Sequence, residues 1–329
     1  MILLGTSGFS FPDWDGVFYP PGLERARQFD YYVRQFGAVE INSTYYRVPP
    51  ASTMATLERK SPPGFEFVVK ANQEMTHKQS YDPALYEAFQ AAMAPLARAR
   101  KLGGVLAQFP QAFHRTENSV RFLVELQERM EGIPLFVEFR HNSWMHEDVF
   151  EFLEKRSLGY VSVDEPDLPG LLPRVARATG SLAYVRFHGR NKRNWYTRDE
   201  GAADRASDRA SEGAGNGQGG RNGRTSGRDA GVRGAGMAAD RPVRATKTPG
   251  GVASKPQSRD RRLLRYDYLY SESELKEWAE KIRELNQKTQ KTFVFFNNCH
   301  AGHAATGAKL MRKLLEMPEP SIAEQTGLL

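Results

Sequence analysis

A glutamate and an arginine, two positions apart, interrupt an apolar run within residues 135–144, which read LFVEFRHNSW. Side chains at positions i and i+2 of a β-strand point to the same face, so Glu138 and Arg140 are expected to enter the same interior. An acid beside a base in an interior is either a structural ion pair or part of an active site. The rest of the sequence favours the active site, because the same pattern recurs.

Polar residues close most of the other apolar runs, usually as pairs at this spacing. They are Glu40 and Asn42, Lys70 and Asn72, Gln108, Ser162 and Asp164, Arg186 and His188, and Asn297 or Asn298. If these runs are parallel strands of one barrel, the side chains converge at its carboxyl-terminal mouth, where barrel enzymes carry their catalytic groups. A structural network is the alternative, but buried charges roughly break even energetically and therefore need another reason to be there.

Four of these residues are candidates for catalysis: Glu40, Glu138, Asp164 and His188. Carboxyl groups in different environments divide into a proton donor and a proton acceptor, as hydrolytic enzymes require. The sequence therefore predicts an acid–base site in which these four side chains converge.

A second set is predicted to bind substrate: Asn42, Lys70, Gln108, Arg140, Arg186, Arg190, Tyr196 and Asn297. Arginines suit a carboxylate, a phosphate or a developing negative charge, and amides orient hydroxyl groups. Lys70 is expected to pair with Glu40. A Schiff base at Lys70, which needs a pKa lowered by burial or neighbouring cations, is the alternative.

Two loops suggest where an anion binds. The loop HGRNKRNWY at 188–196 is basic, and NNCHAGHAATG at 297–307 offers backbone amides that open a helix. Barrel enzymes often hold phosphate in the loops after strands seven and eight. An ordinary basic loop beside a helix cap is the alternative. Cys299 is interpreted as a small loop residue and not as a nucleophile.

No cofactor is predicted, although a divalent metal is an open alternative. Three carboxylates with one imidazole suit Mg²⁺ or Mn²⁺, or Zn²⁺ in a hydrolytic site. The arginines and Lys70 at the same level would repel a cation. With a single cysteine, the chain has no intrachain disulfide and no CxxC metal site.

Apolar runs alternate with amphipathic segments along most of the chain. The predicted strands are 2–6, 38–42, 65–70, 104–108, 135–140, 159–164, 182–188 and 292–297, and the predicted helices are 23–36, 83–101, 118–130, 147–156, 272–286 and 303–316. Strands that alternate with helices indicate a parallel sheet covered on its faces. Eight such units predict a (β/α)8 TIM barrel, formed by 1–200 and 261–329, and a doubly wound sheet is the runner-up.

The segment 201–260 differs in composition from the rest. It holds 13 glycines and no aromatic residue, and with its immediate flanks it accounts for most of the net charge of +7. Such a segment buries too little apolar surface to offset its ordering entropy, so it is predicted to be a disordered insertion between strands seven and eight. Its GxGxxG match at 215–220 follows no predicted strand and carries no weight.

Several motifs resemble those of the YecE-like family, also called domain of unknown function 72. They are GTSG at 5–8, EINSTYYRVP at 40–49, VKAN at 69–72, QFP at 108–110, EFRHNSW at 138–144, RFHGR at 186–190, YDYLYS at 266–271 and FFNN at 295–298. The resemblance covers nearly all of the chain outside 201–260 and implies a TIM barrel, but no established activity. The chain departs from the pattern at Phe9, where Trp is common, at Thr306-Gly307 and in the long insertion.

These features predict an enzyme, a hydrolase or lyase, that acts on a polar small molecule of anionic, phosphorylated or sugar-like character. One alternative is nucleic-acid binding through the basic segment 201–260, and another is a barrel that binds a ligand without catalysis. No apolar run approaches the roughly 20 residues that span a bilayer, and the start of the chain lacks a basic signal-peptide region. A cytoplasmic protein without membrane contact is expected.

Overall fold

Eight parallel strands form a single sheet in the order β1-β8-β7-β6-β5-β4-β3-β2. The computed structural model describes residues 1–196 and 265–319. The strands are β1 Ile2–Thr6, β2 Ala38–Ile41, β3 Glu66–Lys70, β4 Leu102–Gln108, β5 Leu135–Glu138, β6 Gly159–Asp164, β7 Leu182–Phe187 and β8 Lys291–Phe296. Because β1 and β2 end this order and also contact each other, the sheet is nearly closed. This confirms the predicted TIM barrel, and the doubly wound alternative is wrong.

The seam between β1 and β2 is held by few backbone contacts. Ser7 and Glu40 form an isolated bridge, and the amide of Gly8 donates to the carbonyl of Glu40 at 2.8 Å. Lower in the seam the Tyr32 hydroxyl accepts from the amide of Thr6 at 2.8 Å and donates to the carbonyl of Ala38 at 3.0 Å. A buried tyrosine thus replaces part of a missing ladder, which satisfies backbone groups that would otherwise be orphaned.

Gly5 is required at this seam because the two strands approach closely. A Cβ built on Gly5 would lie 2.1 Å from the carbonyl oxygen of Ala38 and 2.9 Å from the ring of Phe295. The first of these neighbours is backbone, which cannot rotate away. Only a residue without a side chain allows β1 and β2 to approach this closely.

Helices cover the outer face of the sheet. They are α1 Gln28–Tyr32, α2 Ala51–Lys60, α3 Gln73–Thr76, α4 Pro83–Arg98, α5 Glu117–Arg129, α6 Glu147–Lys155, α7 Glu272–Lys288 and α8 His303–Leu314. Local sequence explains their starts: Thr116 caps α5 through its side chain, and Ser271 forms a capping box with Glu274 at α7. Each of these helices turns an apolar stripe to the sheet, as Leu275, Trp278 and Ile282 do in α7.

Three features differ from the predicted elements. The helix expected over 23–36 is only α1, preceded by a 3₁₀ turn at Arg25–Arg27, and α1 has no side-chain N-cap hydrogen bond. The helices α2 and α3 were not among the predicted segments. The connection from β6 to β7 at 165–181 is fully described and contains no helix.

The inside of the barrel is layered from one end to the other. Glu66 pairs with Lys291 at the amino-terminal end. Above this pair lies an aromatic layer of Phe136, Tyr184, Phe293 and Phe295, whose neighbouring ring centroids are 5.0–6.3 Å apart. Charged and amide side chains fill the carboxyl-terminal end. The apolar plug therefore separates a lower end that holds one ion pair from an upper end that collects polar side chains of several strands.

The predicted insertion falls between β7 and β8, and residues 201–260 lie outside the described part of the chain. Within 1–196 and 265–319, the helices are all too short or too polar to cross a membrane.

Candidate active site at the barrel mouth

Eight of the predicted site residues meet at the carboxyl-terminal end of the barrel. They are Glu40, Lys70, Gln108, Glu138, Arg140, Arg186, His188 and Asn297. All of them lie on, or one to two residues beyond, β2, β3, β4, β5, β7 and β8. The i, i+2 pattern thus brings side chains from six strands to one place, because alternate residues of each strand face inward.

Arg186 is the centre of the network. Its Nε and Nη2 donate to the two oxygens of Glu40 at 2.9 and 2.6 Å, and its Nη1 donates to Glu138 at 3.0 Å. The Tyr184 hydroxyl also donates to Glu40. Burial alone would lower the pKa of Arg186, but the two carboxylates hold it well above its usual range. One permanent cation therefore pairs with two buried carboxylates.

Three basic side chains contact the carboxylate of Glu138. Besides Arg186, its Oε1 lies 2.7 Å from Nε of Arg140 and 3.1 Å from Nε2 of His188. The Arg140 contact is one of charge and not an aligned hydrogen bond, since its Nε has no hydrogen-bond partner. Burial would raise the pKa of Glu138, but Arg140, Arg186 and His188 hold it well below its usual range. Glu138 is therefore ionised, and it pairs with both arginines.

The hydrogen bonds of His188 define its tautomer. Its Nδ1 lies 3.0 Å from Nδ2 of Asn297, whose Oδ1 accepts from Arg186 at 3.3 Å. An amide nitrogen only donates, so Nδ1 accepts and the proton is on Nε2, which donates to Glu138. Burial and then Arg140 lower the pKa of His188 well below its usual range, although Glu138 opposes them. His188 is therefore neutral, and both of its nitrogens are engaged.

Lys70 does not pair with Glu40, contrary to the expectation from sequence. Its Nζ donates to Oε1 of Gln108 at 2.8 Å and lies 4.5 Å from the ring centroid of Tyr45. Gln108 is oriented by a second bond, from its Nε2 to the carbonyl of Phe109 at 2.7 Å. Glu40 is instead occupied by Arg186 and Tyr184. Burial, followed by the charge of Arg186, lowers the pKa of Lys70 to about 7.

Glu165 belongs to the network, although it is not among the site residues predicted from the sequence. Its Oε2 lies 3.4 Å from Nη1 of Arg140, and its Oε1 accepts from the amide of Leu172 at 3.0 Å. Burial raises the pKa of Glu165 to about 7, although Arg140 opposes the rise. A carboxyl group with this pKa exchanges its proton at neutral pH, whereas Glu138 is held in its ionised form by its basic neighbours.

Asp164 is not brought to the mouth, because β6 presents the other set of residues inward. Gly159 packs against the inward ring of Phe136, which places Glu165 inward and Asp164 outward. Asp164 accepts from Arg190 at 2.7–3.1 Å, from Tyr270 at 2.6 Å and from Trp278 of α7 at 2.6 Å. The expectation that Asp164 and Arg190 join the inner cluster is therefore corrected: they pair with each other outside the barrel wall.

The side chain of Arg190 is already engaged by carboxylates and is not available to bind an anion in the predicted loop. In addition to Asp164 it contacts Glu274 at 3.2 Å and Glu277 at 3.4 Å. Tyr196 lies in the same loop, half-exposed, and its hydroxyl donates to the carbonyl of Pro169 at 3.2 Å. Neither side chain is held among the charged groups around Arg186.

Two oxygens near the seam have no hydrogen-bond partner. They are Oγ of Ser7, a residue only 3% exposed, and Oδ1 of Asn42, which is partly buried. Ser7 follows β1 and bridges to Glu40, and Asn42 is two residues beyond Glu40. Buried polar atoms are normally satisfied, so these two oxygens remain free to accept hydrogen bonds.

His77 and Tyr45 lie at the rim next to Lys70. Their ring centroids are 5.1 Å apart, and Nδ1 of His77 lies 3.0 Å from the Thr76 hydroxyl. Burial, followed by the charges of Lys70 and Arg140, lowers the pKa of His77 to about 4. His77 is therefore uncharged at neutral pH and adds no cation beside Lys70.

Cys299 is placed as a structural residue. Its Sγ lies 3.3 Å from the carbonyl of Ser7, and burial raises the pKa of the thiol. A protonated, buried thiol is unreactive, which agrees with its interpretation as a loop residue.

The donor set at the mouth does not resemble a metal centre. Oxygens of Glu40 and Glu138 already accept from guanidinium groups, and His188 has no free nitrogen. Among residues 1–196 and 265–319, no group of three or more His, Cys, Asp or Glu side chains is placed to hold a metal ion. The network as it stands suits an anionic ligand better than a cation.

Comparison with known proteins finds relatives over nearly the whole chain. A family model described as "Protein of unknown function DUF72" matches residues 3–222 and 236–327. The UPF0759 protein YunF of Bacillus subtilis (strain 168) is 29% identical over 335 residues, 98% of either chain. A DUF72 family protein of Thermotoga maritima MSB8 is 35% identical with a TM-score of 0.72, covering 96% of this chain and 99% of its own. One from Enterococcus faecalis V583, at 24% identity and a TM-score of 0.72, covers 97% and 96% and shows the fold alone.

Proposed function

The chain belongs to the DUF72 family, and from this premise we propose that its barrel mouth is the active site of an enzyme. The reaction class is hydrolysis or elimination, and the substrate is a small, polar, anionic molecule such as a phosphorylated or sugar-like acid. Within the family we group the chain with the YecE-like proteins on its sequence motifs. No activity comes with the family, so the proposal depends on the site.

The observation that carries the proposal is that Lys70 and Glu165, which both feel the charge of Arg140, both have a pKa of about 7. A group with a pKa near the working pH gives and takes protons most effectively in a transition state. An ordinary ion-pair network would shift both values in the opposite directions, toward the charged forms. Two such groups at the mouth of a barrel indicate acid–base catalysis.

Arg140 is proposed to bind the anionic group of the substrate. Its side chain is 11% exposed, whereas Arg186 and the carboxylates that it holds are buried. It is therefore the arginine of the network that a ligand can reach. The unpartnered oxygens of Ser7 and Asn42 are proposed to receive hydroxyl groups of the same molecule.

Glu40, Glu138 and His188 are proposed to position the site rather than to transfer protons. Every one of them is buried and held by at least two partners. A rigid set of charges needs no reorganisation during a reaction, which is how preorganised sites stabilise developing charge. Glu165, with its adjustable proton, takes over the acid–base role predicted for Asp164.

The other expectations stay as predictions. A divalent metal would have to displace arginine contacts from Glu40 or Glu138, and nucleic-acid binding was attributed to residues 201–260, which lie outside the described chain. A barrel that binds a ligand without turning it over is separated from an enzyme by the experiment below.

Binding is tested first, by the melting temperature of the full chain with inorganic phosphate, citrate, glucose 6-phosphate and gluconate. We expect at least one anion to raise the melting temperature, and Arg140→Gln to abolish the effect. Arg177→Gln is the matched control, because Arg177 also contacts two carboxylates, Glu147 and Glu154, but at the outer helices. An equal response in Arg140→Gln would place the anion elsewhere and overturn the proposal.

Turnover is tested with the anion that binds, by proton NMR over hours. Glu165→Gln keeps the shape of the side chain but cannot exchange a proton. We expect it to bind normally and to react at least about 100-fold more slowly, the usual contribution of a general acid or base. Binding without any conversion of the anion by the parent protein would establish the non-catalytic barrel instead.

A further inference from the structure

Lys70 has an unusual environment for a lysine. Its Nζ is bonded to the neutral amide of Gln108 and faces the ring of Tyr45. In the described part of the chain, no carboxylate oxygen lies within 4.0 Å of it. Other partly buried lysines behave differently: Lys101 contacts Glu58 at 3.2 Å, and Lys291 pairs with Glu66. Among the described residues, Lys70 therefore lacks the carboxylate partner that Lys101 and Lys291 have.

The charges around Lys70 favour its neutral form. Arg186 and Arg140 stand at the same end of the barrel and, after burial, are the influences that lower its pKa to about 7. The carboxylates that would oppose them, Glu138 and Glu40, are already neutralised by the same arginines. At neutral pH a large share of Lys70 therefore carries a free electron pair, which is the reactive form of an amine.

Arg140 and Glu165, which contact each other at the same end of the barrel, supply the other groups that carbonyl chemistry needs. We propose that Lys70 is a nucleophile that forms an imine with the carbonyl carbon of an aldehyde or keto acid, whose carboxylate is bound by Arg140. This deepens the proposed function and rests on its anion site, because it names the substrate class as 2-oxo acids. A Schiff-base lyase is the reaction type that follows from it.

The step balances without an oxidant or a reductant. The Nζ electron pair attacks the carbonyl carbon and gives a carbinolamine, with a proton passing from nitrogen to oxygen. The carbinolamine hydroxyl then takes a proton from Glu165 and leaves as water, and the remaining proton on nitrogen passes to the Glu165 carboxylate, which restores it. The C–O bond breaks, the C=N bond forms, and one water is released. Glu165 suits this role because a carboxyl group with a pKa of about 7 is protonated half of the time at that pH.

Trapping of the imine is the test. The full-length protein is incubated at pH 7.5 with glyoxylate and sodium cyanoborohydride, which reduces the imine to carboxymethyl-lysine, and each lysine is quantified by peptide mass spectrometry. We expect Lys70 to be labelled at least about tenfold faster than Lys101 in the same molecule, with a rate that rises through pH 7. Labelling of Lys70 no faster than Lys101 overturns the inference.

Two variants and a second probe separate this inference from the proposed function. Lys70→Arg keeps a cation but should remove the labelled site, and Lys101→Arg should leave it unchanged. Formaldehyde has no carboxylate. Fast labelling by formaldehyde in the parent protein and in Arg140→Gln, without preference for glyoxylate, would support the nucleophile and refute the anion site. Glyoxylate that raises the melting temperature through Arg140 without labelling Lys70 would refute the imine and leave the anion site standing.

Discussion

Arg186 reaches Glu138 across the interior of the barrel, with Nη1 of the arginine 3.0 Å from Oε2 of the glutamate. The rest of the same guanidinium holds both oxygens of Glu40. With Arg140 beside Glu138, two arginines and two glutamates balance their charges here, while Tyr184 adds a bond to Glu40 and His188 donates to Glu138. Such an arrangement is roughly neutral for stability, but removing one member leaves a partner's charge uncompensated.

Glu138→Gln is therefore expected to destabilise the protein. The amide keeps the shape of the side chain but loses the charge that faces Arg140, Arg186 and His188. We expect a loss of about 3–5 kcal/mol in the free energy of unfolding, measured by urea denaturation. Glu147→Gln, which removes an exposed partner of Arg177, is the control and should leave the midpoint nearly unchanged. A neutral or stabilising effect of Glu138→Gln would mean that the site sacrifices stability for function and that Glu138 acts on the ligand directly.

Asp164→Asn is expected to lower stability without removing anion binding at the barrel mouth. Arg190, Tyr270 and Trp278 all direct donors at this carboxylate, and an amide cannot accept from all three. The free energy of unfolding should fall by about 3–5 kcal/mol, as for other broken buried pairs. Anion binding at the mouth should persist in whatever fraction is folded, as calorimetry at low temperature would show.

The matched control for Asp164 is Asp167→Asn, three residues beyond β6 and exposed. It should change neither stability nor binding. If Asp164→Asn abolished anion binding while its unfolding transition stayed where it was, Asp164 would be part of the functional site after all.

Lys70→Met is expected to change how stability depends on pH. The pKa of Lys70 is about 7 in the folded state against 10.5 for an ordinary lysine. Between these values the unfolded chain binds more protons, so Lys70 makes stability increase as pH rises above 7, by at most about 1.4 kcal/mol per pH unit. Below pH 7 both states are protonated and the slope vanishes.

The measurement is the difference between Lys70→Met and the parent protein in urea denaturation from pH 6 to pH 9. The free energy of unfolding of Lys70→Met, relative to that of the parent, should be highest near pH 6. This difference should fall as the pH rises above 7. The exposed Lys276→Met serves as control and should run parallel to the parent at every pH. Parallel curves for Lys70→Met as well would show that the amine is charged in the folded protein, which also contradicts an imine role.

The positions of the strands could be predicted from the sequence far better than which residues of β6 turn into the barrel. In β5 and β7 the polar residues at i, i+2 showed which side turns inward. In β6 the same spacing of Ser162 and Asp164 indicated the wrong face, because these polar side chains point outward to the Arg177 amide and to Trp278. Every residue of β6 is buried, so burial does not distinguish its two faces. Asp164 was therefore chosen where Glu165 enters the barrel. A buried strand gives its phase only through neighbours such as Phe136, which contacts Gly159.

Partners between distant strands were the other limit of prediction. The expectation that Lys70 meets Glu40 needed only neighbouring strands, but Arg186 comes from β7 and takes Glu40 first. Likewise, no local pattern in 23–36 indicates that the Tyr32 hydroxyl closes the seam between β1 and β2. These pairings depend on the closure of the whole barrel, whereas strand and helix patterns are local.

Gly5→Ala tests that closure directly. The added methyl would stand 2.1 Å from the carbonyl oxygen of Ala38, so β1 and β2 would have to separate where Tyr32 joins them. We expect a loss of at least about 3 kcal/mol in the free energy of unfolding, the upper end for overpacked interiors, because backbone cannot repack as a side chain does.

Gly180→Ala is the matched control: it has ordinary backbone angles and nothing within 4 Å of the new methyl, and it should be neutral. Because Glu40 sits at the same seam, a folded remainder of Gly5→Ala should also bind anions more weakly. Normal stability and binding in Gly5→Ala would mean that the barrel closes less tightly between β1 and β2 than the contacts of Tyr32 and Ser7 indicate.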